Sequence, residues 1–242
     1  MEKERNNNLS EGTKYPDFIV NVMRENDDFL IKYAKETNDE VSELINDSID
    51  YMVIFVKKGE ENWAKSTMAF FTIHMFMPLS YAIYVDLLAG NILVCFMELR
   101  LMLESLTKCY LADLKYPDST FFQEKLELLE KETKSKNGKT ISKREYDFMK
   151  EFDKELGFNE CSIKLWGKLS KDWVHTKGVM DKVVYQIAEK SNVPSWGLVI
   201  PCNFLKADLE DIEELHKRIS QFRNLLKITM KNYKQEFSFE EI

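Results

Sequence analysis

The sequence predicts an all-α protein, a helical bundle built around long central apolar helices. Glycine and proline are scarce, eight and five in 242 residues. The segments between them carry apolar residues at three-to-four spacing, the period of a helix with one buried face. With 44% of residues apolar and 31% charged, the chain has both a core and a solvated surface. The same figures exclude collagen, a disulfide scaffold and a disordered chain. Residues 1–16, opening MEKERNNNLSEG, read as a flexible N-terminal tail, charged and Asn-rich without the apolar segment of a signal peptide. Residues 17–242 read as a single all-helical domain.

Behind Pro16 a first helix is expected from Asp17 to Lys35, with Phe18, Val22, Phe29, Ile31 and Tyr33 among its apolar positions. Thr37 or Asn38 can cap the second, whose stripe Val41, Leu44, Ile45, Ile49, Met52, Val53 and Val56 runs to Lys58, ahead of Gly59. A third covers Glu61 to about Ala89. Pro78 should kink it, because proline lacks a backbone donor and clashes with the carbonyl of His74. Ser66 to Val85 carries no charge and is long enough to cross a bilayer. Thr72, His74, Pro78, Ser80 and two tyrosines within it, with no Lys/Arg-rich loop to set an orientation, favour a buried central helix over a membrane span. Gly90-Asn91 separates it from a fourth helix, Ile92 to Lys115, ended by Pro117.

Asp118 or Ser119 opens a charged amphipathic helix to about Thr133, and KSKNGKT reads as a loop. Ser142 to Leu156 and Ser162 to His175 are two further helices. Between Ser191 and Cys202 the periodicity fails, and Pro194, Gly197 and Pro201 enclose a short extended segment near 196–200. The last helix, Lys206 to Gln235, has Leu209, Ile212, Leu215, Ile219, Phe222, Leu226 and Tyr233 on one stripe. That stripe packs on the protein's own core or, at one edge, forms the seam of a two-fold homodimer.

Acidic residues outnumber basic ones by 41 to 34, a net charge of -7, so bulk attraction to nucleic acid or anionic lipid is not the expected mode of action. Cys95, Cys109, Cys161 and Cys202 form no CxxC pair and read as free thiols of a cytoplasmic protein. No glycine-rich phosphate loop, G-x-S-x-G elbow or H-E-x-x-H helix occurs, and no cofactor is expected.

The fourth helix is apolar on nearly every face, yet Arg100, Glu104 and Lys108 fall on one stripe four residues apart. The plain reading is an ion pair at the edge of the core. The sharper one is a polar site completed by LWGKLSKDWVHTKG, in which Trp166 and Trp173 bury one face and Ser170, Asp172 and His175 are presented. His175, three residues before Gly178, sits where a helix C-terminus favours the protonated ring.

These residues carry a resemblance. Gly90, Arg100, Glu104, Tyr110, Asp113 and Pro117, followed by Trp166, Leu169, Ser170 and His175, resemble the R-x-x-x-E and L-S-x-x-x-x-H motifs of a group of uncharacterised all-helical prokaryotic proteins. That group is itself similar to HEPN-type helical domains. The likeness covers residues 87–177 and implies a bundle whose two motifs face one another across the core, with no known activity. HEPN-type ribonucleases carry an Arg and a His with four to six residues between them, which places a cation and an acid–base group at the scissile phosphate. Here Lys168, Leu169 and Ser170 occupy those positions ahead of His175, and no arginine precedes His74 or His216 at that distance. A binding or regulatory module without the ribonuclease motif is therefore expected, in a nucleic-acid-related or defence setting.

The alternative is a metal-dependent helical-bundle enzyme. Asp172-x-x-His175 and Glu213-x-x-His216 have the i, i+3 spacing at which carboxylate and imidazole converge on one ion. Such a site would also need Glu98 or Glu104, and His74 or another acidic residue, at the same place.

Overall fold

The computed structural model describes residues 15–57, 64–174 and 202–236. In chain order these form α1 (Tyr15–Tyr33), α2 (Lys35–Val56), α3 (Thr67–Leu88), α4 (Ile92–Lys115), α5 (Phe122–Glu130), β1 (Thr133–Lys136), β2 (Lys139–Ser142), α6 (Glu145–Glu155), α7 (Cys161–Lys168) and α8 (Leu209–Glu236). A π-helical stretch, Leu169–Val174, continues α7. The all-α bundle is the architecture the periodicity predicts. The extended segment expected near 196–200 lies outside the described residues, as does most of the N-terminal tail.

The sequence of α4 puts apolar side chains on almost all sides, and only a central position can bury them. It packs on α3, α5, α6, α7 and α8. Leu99, Met102, Leu103, Leu106 and Leu111 along it are fully buried. Its bounds are those set by Asn91 and the approach to Pro117.

Helix α3 does not break at Pro78. It widens instead into a π-helical stretch, Phe71–Phe76, which ends two residues before the proline. The wider turn gives room where the ring would strike the preceding carbonyl and where the missing N–H leaves an acceptor unpaired. By length and composition α3 is the one helix among the described residues apolar enough to cross a membrane, with a mean hydropathy of 1.4. Its inner face is buried against α2 and α4, where Ser80 Oγ donates to Ser48 Oγ at 3.2 Å, while Tyr81 and Val85 stay exposed.

The start of α3 is held by a carboxylate from α4. Asp113, 1% exposed, accepts from the backbone N–H groups of Thr67 and Met68 at 3.0 Å each. It also accepts from Ser66 Oγ, Lys125 Nζ at 2.8 Å and Tyr233 OH at 2.9 Å. An anion at a helix N-terminus satisfies donors that have no intrahelical partner. The network joins α3, α4, α5 and α8 at one point.

KSKNGKT is not a loop but the tip of a β-hairpin, with Thr133 paired to Ser142 and Lys136 to Lys139. Asn137 (φ 52°) and Gly138 (φ 74°) both adopt the left-handed backbone that a tight two-residue hairpin turn requires.

The chain re-enters the described structure at the α3–α4 corner. Cys202 N–H donates to the carbonyl of Ala89 at 3.1 Å, and Asn26 of α1 bridges the carbonyls of Leu88 and Cys202 while accepting from Phe204 N–H. Gly90 takes φ 74°, and a Cβ there would lie 2.1 Å from the Cys202 carbonyl oxygen. Helix α8 then closes the bundle. Ile212, Leu215, Ile219, Phe222, Leu226 and Tyr233 are all buried in the chain's own core, the first of the two packings open to this stripe.

Candidate functional site

Arg100 and Glu104 lie one turn apart on α4, at the edge where α7 and its π-helical continuation cross it, and each is 20% exposed. Arg100 Nε donates to Glu104 Oε1 at 2.8 Å. The same oxygen accepts from the indole Nε1–H of Trp166, on α7, at 2.6 Å. The guanidinium carbon of Arg100 sits 5.4 Å from the centre of the Trp166 ring, within cation–π range. One carboxylate oxygen thus orients both a cation and an aromatic plane. Among the described residues the two Nη groups of Arg100 have no hydrogen-bond partner.

Four residues on from Trp166, in the π-helical stretch packed on α4, Ser170 is 4% exposed and its Oγ makes no hydrogen bond. A hydroxyl buried without a partner gives up its hydration for nothing within the protein. Asp172 is in the same stretch with its side chain outside the described residues, and His175 lies outside them altogether.

Lys108 belongs to a different group. Its Nζ lies 2.9 Å from Glu145 and 3.7 Å from Glu130, over the Phe148 ring. Burial works against its charge, but Glu145, Glu130 and the more distant Glu104 outweigh that and raise its pKa, while Lys108 holds Glu145 below the ordinary carboxylate value. Sequence spacing put Arg100, Glu104 and Lys108 on one stripe, but the neighbouring helices divide it.

Of the two pairs expected as metal ligands, only Glu213 and His216 have described side chains. Glu213 is exposed and ion-paired to Lys217 at 2.7 Å, and His216 Nδ1 is buried without a partner. Among the described residues no group of three or more His, Cys, Asp or Glu is placed to hold a metal ion. Glu213 and His216 keep the i, i+3 spacing, and among the described residues no third His, Cys, Asp or Glu joins them. His74 is exposed, tilted against Phe70 at 5.3 Å.

Comparison with protein-family models, with curated proteins and with solved structures finds no match to this chain. The site stands on its own geometry.

Sequence reasoning named Glu98 of α4 only as a possible metal ligand and missed its burial beside a second acid. Burial, then the neighbouring Asp86 of α3, push the Glu98 carboxyl up to about 8, and its Oε2 is buried without a partner. The signal was a glutamate inside an apolar run, ILVCFMEL, beside a helix pair that brings up a second acid. Asn26 was legible in the same way, because it interrupts the inward-facing series Val22, Asn26, Leu30 of α1.

Proposed function

We propose that the chain is a binding or regulatory module that takes a small anionic group, a carboxylate or a phosphate, on the outer edge of Arg100. The observation that carries the reading is the arrangement of that guanidinium. Its Nε is committed to Glu104, its face to Trp166, and its two Nη groups are free among the described residues. A guanidinium fixed in this way presents a planar fork that matches the two oxygens of a carboxylate or phosphate. The buried, unpartnered hydroxyl of Ser170 on the crossing helix is a second donor looking for an acceptor.

The likeness of these motifs to HEPN-type domains supports a regulatory role, in a chain that lacks the Arg-x4-6-His pair of the ribonucleases. Free thiols at Cys95, Cys109, Cys161 and Cys202 fit a cytoplasmic setting. The metal-dependent alternative gains nothing from α8, where Glu213 is occupied by Lys217.

Calorimetric titration with inorganic phosphate and with succinate tests the reading. Saturable binding of either is expected, abolished in Arg100→Gln and weakened in Ser170→Ala, with both variants folded by circular dichroism. Binding that is unaltered in Arg100→Gln, or absent from the wild type for both anions, would reduce the Arg100–Glu104–Trp166 cluster to a structural clasp.

A further inference from the structure

On the face of α7 away from Trp166, a groove of about 410 Å³ runs between α7 and α8. That volume is in the range of small-molecule sites. Its floor is apolar, from Leu165 and Leu225, both nearly inaccessible, and Phe158 and Ile228 extend it outward. Ile228 is 44% exposed, an uncovered aliphatic side chain on the groove's flank.

The polar groups around this floor are cationic or neutral. Lys164 and Lys168 stand one helical turn apart on the α7 wall, Gln221 and Asn224 on the α8 wall, and no carboxylate lines the groove. Lys164 is engaged loosely, 3.9 Å from Glu160 and donating to the Asn159 carbonyl at 3.2 Å. Lys168 makes no ion pair and no hydrogen bond among the described residues. An apolar trough with one ammonium, that of Lys168, unpaired among the described residues on one rim and neutral amides on the other is complementary to a molecule with an apolar body and a single negative head. An alkyl cation would meet two ammonium groups, and a neutral alkane would leave the rim unused.

We propose that the α7–α8 groove is a binding site for an unesterified acyl carboxylate, its chain on Leu165, Leu225 and Ile228 and its head group held by Lys168 with Lys164. This site is separate from the anion site of Arg100, since Lys164 and Lys168 lie on the opposite face of α7 from Trp166.

Cys161 supplies the test, because its thiol is exposed in the groove wall, whereas Cys95 and Cys109 are buried with their pKa values raised. The full chain is treated with a thiol reagent and modification at Cys161 is followed by peptide mass spectrometry, with dodecanoate, dodecylamine or dodecanol added below their micelle concentrations. Dodecanoate is expected to slow modification of Cys161 by about tenfold, because a covered thiolate is withheld from the reagent. Dodecylamine and dodecanol should protect far less. Lys168→Glu, at an exposed position that leaves the core untouched, should invert the order so that dodecylamine protects and dodecanoate does not. The proposal is overturned if dodecanoate gives no protection, if dodecylamine protects the wild type equally, or if raising the protein concentration alone shields Cys161, which would make a second copy of the chain the occupant.

Discussion

Glu98 shows how one side chain sets a pH dependence. In the folded protein burial, then Asp86, raise its carboxyl to about 8, against 4.5 when unperturbed. Between those values the native state keeps a proton that the unfolded chain has released. Stability is therefore fullest below the unfolded value, falls as pH rises through this window, and levels off above the folded value. Glu98→Gln keeps a neutral group of the same shape at every pH. It should remove the slope and, discounted for the screening of a carboxyl that is only half-buried, gain about 2 kcal/mol over the wild type near pH 9, with little difference near pH 4. Urea unfolding at both pH values measures this, and a variant with an unchanged slope would assign the dependence to another group. Arg100 and Glu104 illustrate the opposite case at the same scale. Their spacing is a property of one helix and could be read directly, whereas the indole of Trp166 reaches the same carboxylate only because α7 crosses α4 at that height. Nothing local to residues 160–170 specifies that crossing.

At the scale of elements, the α3–α4 corner makes the sharpest demand on the sequence. Gly90 and Gly138 share φ 74°, but a Cβ at Gly138 meets nothing within 4 Å, while one at Gly90 would overlap the Cys202 carbonyl. Substituting alanine at Gly138 should therefore destabilise by about 1 kcal/mol, the strain of the left-handed backbone alone. Gly90→Ala adds the overlap and should lose about 3 kcal/mol, within the usual range for overpacking a fixed site. Thermal unfolding of the pair separates the two effects, and equal losses would mean that Cys202 yields without penalty. This corner also marks how far the helices were legible. Ile92–Lys115 was readable to the residue because Gly90-Asn91 and Pro117 punctuate it. The hairpin was not, since Thr133–Lys136 and Lys139–Ser142 lie almost wholly in solvent and show no apolar alternation, leaving Asn137-Gly138 as the only signal. Helix α5 starts at Phe122 rather than at Asp118 or Ser119 because Pro117 is followed by further turns before the helix begins. Pro78 announced a disturbance correctly in place but not in kind, since the neighbouring helices hold α3 continuous and the backbone responds by widening.

Over the whole molecule, contacts between distant parts of the chain decide stability. Arg223 of α8, nearly buried, donates to Asp47 at 2.6 Å and Glu40 at 2.9 Å, both on α2, with Glu43 at 3.3 Å. Removing it strands two partly buried carboxylates side by side, so Arg223→Ala should destabilise by about 3 kcal/mol, and Arg223→Lys should recover only part because one ammonium cannot span both acids. Denaturant midpoints measure both variants; a loss comparable to that of an exposed ion pair would show that α2 and α8 are held by their apolar faces alone. None of this was readable from the sequence, in which Arg223 is one charged residue among many on a long helix. The same helix has a consequence for biosynthesis. Phe222 meets Phe76 of α3, and Tyr233 reaches Asp113 of α4, so the pieces made first wait for α8 to complete their core. A ribosome that has translated α2 to α7 has exposed a bundle with an open apolar trough and two unneutralised acids. Such a nascent chain is sticky until α8 emerges, and slowing translation ahead of α8 should lengthen its dependence on chaperones that shield apolar surface.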